Sequence, residues 1–248
     1  MFDSSYPLVF LAWFLGGFVN GISGMGAAMV ALPIVACVLE MNEAVPSSCL
    51  VATVVAVYVA WMYRAYCRYA PLVPLLVGCV PGAVVGVYVL RVVPGVWLEA
   101  ALGLALAGYV LWQHFHRAGA AHPESVPGGA AAGFASGFAN AAISFSGPPV
   151  AIYALHVGWD KDTTRGTLGL YFLGICIVTC AMQAAAGFYT PVVLKAALYG
   201  MPGALAGLFA SLPFARSIRE NVFQVILLVM IGLAGLVCIV RAVQELMA

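Results

Sequence analysis

The stretch GFVNGISGMGAAMVALP, residues 17–33, decides how this chain folds. It carries no charged residue, yet it sets four glycines and a proline beside Asn20 and Ser23. Unpaired backbone N–H and C=O groups are costly in hydrocarbon, so a broken helix survives there only against protein or around a polar cavity. The breakers therefore predict an interrupted membrane helix whose gap holds an ion or a small solute.

The surrounding chain agrees. Of its 248 residues 64% are hydrophobic and 8% charged, more apolar surface than a soluble domain of this length can hide. The reading is an all-α polytopic membrane protein. A formal net charge of +1 gives no argument for nucleic acid or for acidic partners. The amino terminus, MFDSSYPLVF, lacks a basic leader region and a small-residue cleavage site, so the first apolar run is expected to be retained. Residues without Asp, Glu, Lys or Arg run over 4–39, 44–63, 69–90, 100–116, 125–159, 166–194, 196–215 and 221–240. Six of these suit one span each, at ~20 residues per span. The first and fifth are too long for one helix and short for two, and both contain the breakers.

Those two runs are related. GFVNGISGMGAAMVALPIVACVL from Gly17 lies over GFASGFANAAISFSGPPVAIYAL from Gly133 at an offset of 116, and VPGAVVG (80–86) lies over MPGALAG (201–207) at an offset of 121. The chain thus divides into a first repeat, 1–116, a polar linker, 117–126, and a second repeat, 127–248. Duplication of this kind is common in transporters. If each long run crosses once, the ten basic residues divide evenly between the two sides of the membrane. If each instead enters and returns as a hairpin, Arg64, Arg68, Arg117, Lys161, Arg165, Arg216 and Arg219 share one side, against Arg91, Lys195 and Arg241. The second division obeys the positive-inside rule. Each half then makes three further crossings and the halves are inverted.

Two hairpins bring two helix N-termini toward mid-membrane, each with roughly half a positive charge and free N–H donors. The candidate substrate-binding residues are Asn20, Gly21, Ser23, Gly24 and Gly26 in the first break, and Asn140, Ser144, Ser146 and Gly147 in the second. Ser146 reads as the N-cap of the returning helix, with Pro148 and Pro149 just inside it. Amides and hydroxyls hold an anion without the deep trap of a buried arginine, which suits a carrier that must release its cargo. The rival reading is close helix packing through Gly17/Gly21 and Gly133/Gly137. Thr53, Gln183 and His156 are further candidates for cavity lining or ion coupling, and Glu99 and Glu220, which correspond at offset 121, for proton carriage. Trp13, Trp61, Trp97, Trp112 and Trp159 stand near run ends, as aromatic belts do.

Catalysis has little to work with. The spans contain no acidic pair, no HExxH and no CxxC, so no enzyme activity, metal or cofactor is expected. Cys176 and Cys180, one helical turn apart, read as packing residues rather than as a redox pair.

The repeated GFxxG…G…P block, the doubled half and the PGAxxG echo resemble the TauE/SafE family of sulfite and organosulfonate transporters. Gly17, Gly21, Gly24, Gly26, Pro33 and Ile34 carry the first-half pattern; Ala27 and Ala28 stand where members often have glycines, and Ala142 stands opposite Gly26. The resemblance implies export or uptake of a small organic or sulfur-containing anion across a bacterial-type inner membrane. The candidate coupling ions come from the residues, H⁺ from the titratable side chains and Na⁺ from the unwound carbonyls of the breaks. An anion channel and a cation-coupled carrier of a non-sulfur solute stay open as alternatives. The resemblance implies no oligomeric state.

Overall fold

The computed structural model describes residues 5–115, 122–213 and 220–247. They form ten α-helices: α1 (Ser5–Ser23), α2 (Ala27–Val35), α3 (Met41–Tyr63), α4 (Tyr69–Val92), α5 (Gly95–Phe115), α6 (Val126–Ile143), α7 (Gly147–His156), α8 (Lys161–Ala185), α9 (Pro191–Ser211) and α10 (Glu220–Met247). Among the described residues there is no strand, and seven helices are long and apolar enough to cross a membrane. Arg117, Arg216, Arg219, the first five linker residues (117–121) and the side chain of Glu220 lie outside the described residues.

Side chains sort as lipid demands. Val57, Trp61, Val77, Tyr88 and Leu104 are exposed on the outside of the bundle, whereas Ser48, Asn140, Thr167, Thr179 and Gln183 are buried within it. Of the predicted aromatic belt, Trp61 and Trp97 are exposed. Trp159 donates from Nε1 to Glu124. Trp13 departs from that expectation: it is fully buried, with its ring against Gly200 of α9.

Both long charge-free runs are broken in two. α2 folds back along α1, so that a Cβ at Gly16 would stand 2.5 Å from the Ala27 carbonyl oxygen. α7 folds back along α6, where Ser136 Oγ donates to the Ser146 carbonyl and Tyr153 OH donates to the Ser125 carbonyl. With nine and ten residues, α2 and α7 are about 14–15 Å long, half of a ~30 Å hydrocarbon core.

Neighbouring contacts fix the helix directions. α1 runs parallel to α9: Tyr6 stacks on Tyr199, and Gly203 and Gly207 meet the carbonyls of Phe10 and Phe14. α4 runs parallel to α6: Gly78, Gly82 and Gly86 meet the carbonyls of Ala130, Phe134 and Phe138. α3 and α8 are antiparallel, with Cys49 beside Gln183 and Ala60 beside Gly169. α5 and α10 are antiparallel, with Gly103 against Gly235 and Glu99 beside Arg241. Hence α1 starts, and α2 returns, at the end of the bundle where α3 and α5 begin; this is called the first end. α6 starts and α7 returns at the second end, where Tyr63, Arg165 and Trp159 lie. The hairpin of each half packs on the ninth or fourth helix, which belongs to the other half.

Candidate functional site

Two kinds of residue open the breaks. In the first, Gly24 (φ 82°) and Gly26 (φ 93°) adopt left-handed backbone that a side chain strains. Ser23 braces the turn: its hydroxyl donates to the Val19 carbonyl at 2.8 Å and accepts from the Met25 N–H. In the second, Ser144 (φ 52°) is the one non-glycine among the described residues with positive φ, and it ends α6. Holding a side chain there costs roughly 1–3 kcal/mol.

Each break leads into a helix start with no side-chain cap. Gly26 precedes α2 and Ser146 precedes α7, and neither position gives the helix a capping hydrogen bond. Ser146 occupies the expected N-cap position, yet its hydroxyl does not cap. The two starts are unequal. Ala27, Ala28 and Met29 each carry an N–H in the first turn of α2, whereas Pro148 and Pro149 come after Gly147 in α7 and carry none. The first hairpin therefore supplies most of the backbone donors, and the second supplies Gly147 N–H and side chains.

Both starts face one cavity of about 60 Å³. Its polar wall is Asn20, Asn140, Ser144 and Ser146, with Gly24, Gly26 and Gly147 exposing backbone. Its apolar wall includes Met25, Met29, Ala52, Val55, Val59, Phe172 and Cys176. No charged side chain lines it, so an occupant would rest on helix ends and neutral dipoles. The space exceeds the ~10–15 Å³ that one water needs on a comparable measure. Asn20 is 9% exposed and its Oδ1 has no protein partner. Because an amide's O and N exchange by a half-turn, Asn20 offers the cavity either an acceptor or a donor. Asn140 is held from behind, donating from Nδ2 to Thr179 Oγ1 at 3.0 Å.

Seven of the nine expected binding residues thus share the cavity: Asn20, Gly24, Gly26, Asn140, Ser144, Ser146 and Gly147. Ser23 stands behind it, bracing the turn. Gly21 lies outside this lining, in the wall of the wider space beyond it, and a Cβ there would collide with Ser211 of α9. Thr53 donates to the Cys49 carbonyl and touches Cys180, and Gln183 donates to the Cys49 thiol; both lie outside the lining. His156 is exposed at the second end, stacked 4.1 Å from His122. Thr179, Phe172 and Met25 escaped the sequence reading, because nothing in their spacing tells which helix face turns inward.

The cavity continues toward the second end. A vestibule of about 600 Å³ shares Asn20, Gly24 and Val59 with it and is lined further out by Tyr58, Tyr63 and Arg165. Arg165 donates from Nη2 to the Ile22 carbonyl at 3.0 Å and lies over the Tyr63 ring. A cation there complements the C-terminal end of α1. Beside it, Asp160 caps α8: its carboxylate accepts from Thr163 Oγ1 and the Thr163 N–H, which hold its pKa below the ordinary carboxylate value. Toward the first end, the cavity shares no lining residue with the pocket that opens there.

The family model described as "Sulfite exporter TauE/SafE" matches residues 9–238. Neither a curated protein nor a solved structure matches the chain.

Proposed function

The chain belongs to the sulfite exporter TauE/SafE family, and so is a multi-pass membrane transporter rather than an enzyme; from that premise we propose that it is a secondary carrier of one small anion. The cargo class is sulfite, a short organosulfonate or a small carboxylate. One observation carries the reading: two helix starts without side-chain caps, from two different hairpins, meet in a single uncharged cavity with an unsatisfied amide. Helix N-termini attract anions by their dipole and their free N–H groups. Neutral donors keep affinity moderate, which release requires. Asn20 favours an oxyanion that retains a proton, such as hydrogen sulfite, because its amide can serve as acceptor or donor.

Alternating access is supported by the asymmetry of the openings. The cavity shares lining with the second-end vestibule and none with the pocket at the first end. Inverted repeats are supported by the helix directions, since the hairpins return to opposite ends and each half adds three further helices. In this reading the second end, with Arg64, Arg68, Lys161 and Arg165, faces the cytoplasm of a bacterial-type cell. One hairpin-bearing bundle then rocks against the other to open the first end.

The test is a ligand screen in detergent with sulfite, sulfoacetate, isethionate, taurine and simple carboxylates. A bound anion stabilises the folded state by RT ln(1 + [L]/Kd), so the cargo raises the unfolding temperature in proportion to the logarithm of its concentration. Proteoliposomes loaded with the binder then exchange it with external label. If none of these anions shifts unfolding or exchanges, the anion-carrier reading fails.

A further inference from the structure

The far end of α2 holds a second arrangement that the anion cavity does not use. A pocket of about 490 Å³ opens at the first end between the turn after α2 and the ends of α5 and α10. Glu99, on α5, lies at its wall, 5% exposed, with its Oε1 buried and without a hydrogen-bond partner. Arg241 of α10 places Nη1 3.4 Å from that oxygen, and the same nitrogen donates instead to the Ala36 carbonyl at 2.6 Å. Ala36 is the residue that ends α2. One guanidinium nitrogen thus stands between a carboxyl group and a backbone carbonyl, and its hydrogen bond goes to the carbonyl.

We propose that Glu99 binds the coupling proton of this transporter and acts on the anion site through Arg241 and α2. A charged carboxylate attracts a guanidinium more strongly than a neutral carbonyl does, since it carries a full opposite charge where the carbonyl carries only a dipole. Arg241 hydrogen-bonded to Ala36, with Glu99 held at 3.4 Å and given no hydrogen bond, is the arrangement we assign to a protonated Glu99. Loss of the proton draws Arg241 to Glu99 and releases the Ala36 carbonyl. α2 is then untethered at one end, and its other end supplies the donors of the anion cavity. Coupling between the two sites is reciprocal, so anion binding must also change the hold on the proton.

The groups facing Glu99 are few. α10 brings Arg241, Glu245 and Cys238, and the turn after α2 brings Cys37 and Glu40. α3 lines the pocket with Met41 and Asn42, its Glu43 standing outside the lining, and Pro94 closes the side toward α4. Arg241 is the one cation in the lining, against Glu40, Glu99 and Glu245. Sodium fits poorly, because a guanidinium already occupies the space beside Glu99 and sodium needs several oxygen ligands there. A proton needs only the free oxygen.

Only the transport consequence rests on the anion-carrier reading, and the test uses no cargo. Cys37, exposed at the pocket, reports the tether by its rate of maleimide labelling in a chain carrying Cys67→Ser and Cys180→Ser. The rate is measured in parallel for the parent and for Glu99→Gln from about pH 5 to about pH 8.5. Taking the ratio at each pH removes the thiol's own ionisation. The expected ratio is near unity at the acid end and rises several-fold as Glu99 ionises. A ratio that stays flat overturns the proposal. Where Glu99→Gln does not fold, Arg241→Gln replaces it: the variant is untethered throughout, so the parent-to-variant ratio starts well below unity and climbs toward it. A flat ratio there overturns the proposal equally.

Discussion

Asn20 and Asn140 reach the same cavity by different routes, and their substitutions should differ accordingly. Asn20 has no protein partner for its amide oxygen, so Asn20→Ala removes a ligand contact and little else. We expect its anion Kd to rise about tenfold, equivalent to about 1.4 kcal/mol, with the unliganded unfolding temperature unchanged. Asn140→Ala also strands Thr179, a buried hydroxyl, and should lower that temperature as well as the affinity. Ligand-dependent thermal shift reads both effects. Unchanged affinity in both variants would remove the amides from the site. The amides were legible from sequence because an uncharged polar group at lipid depth needs a reason. Gly21 was not, since a glycine that turns the chain and a glycine that admits a neighbour look alike until φ is known. Gly24 and Gly26 are of the first kind, and Gly21 is of the second.

Among the helices, the short returning pair is where donor supply is decided. Pro148 is the second residue of α7, and Ala28 holds the same place in the first turn of α2. Ala28→Pro should therefore weaken anion binding several-fold while the protein still inserts and purifies, making α2 resemble the proline-rich start of α7. Normal affinity in that variant would show that backbone donors of α2 do not touch the cargo. The other element-level feature is the glycine contact between parallel helices. A Cβ at Gly17 would lie 2.0 Å from the Ala204 carbonyl oxygen, and one at Gly78 would lie 2.0 Å from that of Ala130. Gly17→Val and Gly78→Val should each destabilise by at least about 1–3 kcal/mol, the usual cost of overpacking, seen as a lower unfolding temperature in detergent. These contacts also explain the two sequence echoes. The GFxxG and PGAxxG motifs share the same seams: Gly17 meets Ala204 and Gly207 meets Phe18, while Gly82 meets Phe134 and Phe138. The echoes were readable from sequence, but their partnership was not, because offset says which segments are alike and nothing about which ones touch.

Across the bundle, the distribution of ends makes a prediction about sidedness. Lys161 begins α8 at the second end, and Lys195 lies in the second turn of α9, toward the first end. In a cysteine-free background, Lys161→Cys and Lys195→Cys should react with a membrane-impermeant maleimide from opposite sides of sealed vesicles, Lys161→Cys from the side that also reaches position 64. Labelling of Lys161→Cys from the side opposite position 64 would break the inverted arrangement, since α8 separates Lys161 from Lys195 in either arrangement of the halves. Hydropathy and charge made the helical class and the approximate spans legible, because lipid imposes length and apolarity locally. The cavity's apolar wall and the Arg165 vestibule depend on how distant helices rotate against one another, and no local pattern records that.

The cross-half packing of the hairpins also bears on biogenesis. α1 finds its glycine-lined partner only in α9, roughly 190 residues later, which at ~5–20 residues per second is on the order of ten to forty seconds of synthesis. Until then the leading hairpin must wait in the insertion machinery or in lipid with its seam uncovered. The trailing hairpin faces no such delay, because α4 has already emerged when α6 is made. Co-translational folding is thus ordered by this seam: the second hairpin docks first, and the amino-terminal one is locked in near the finish.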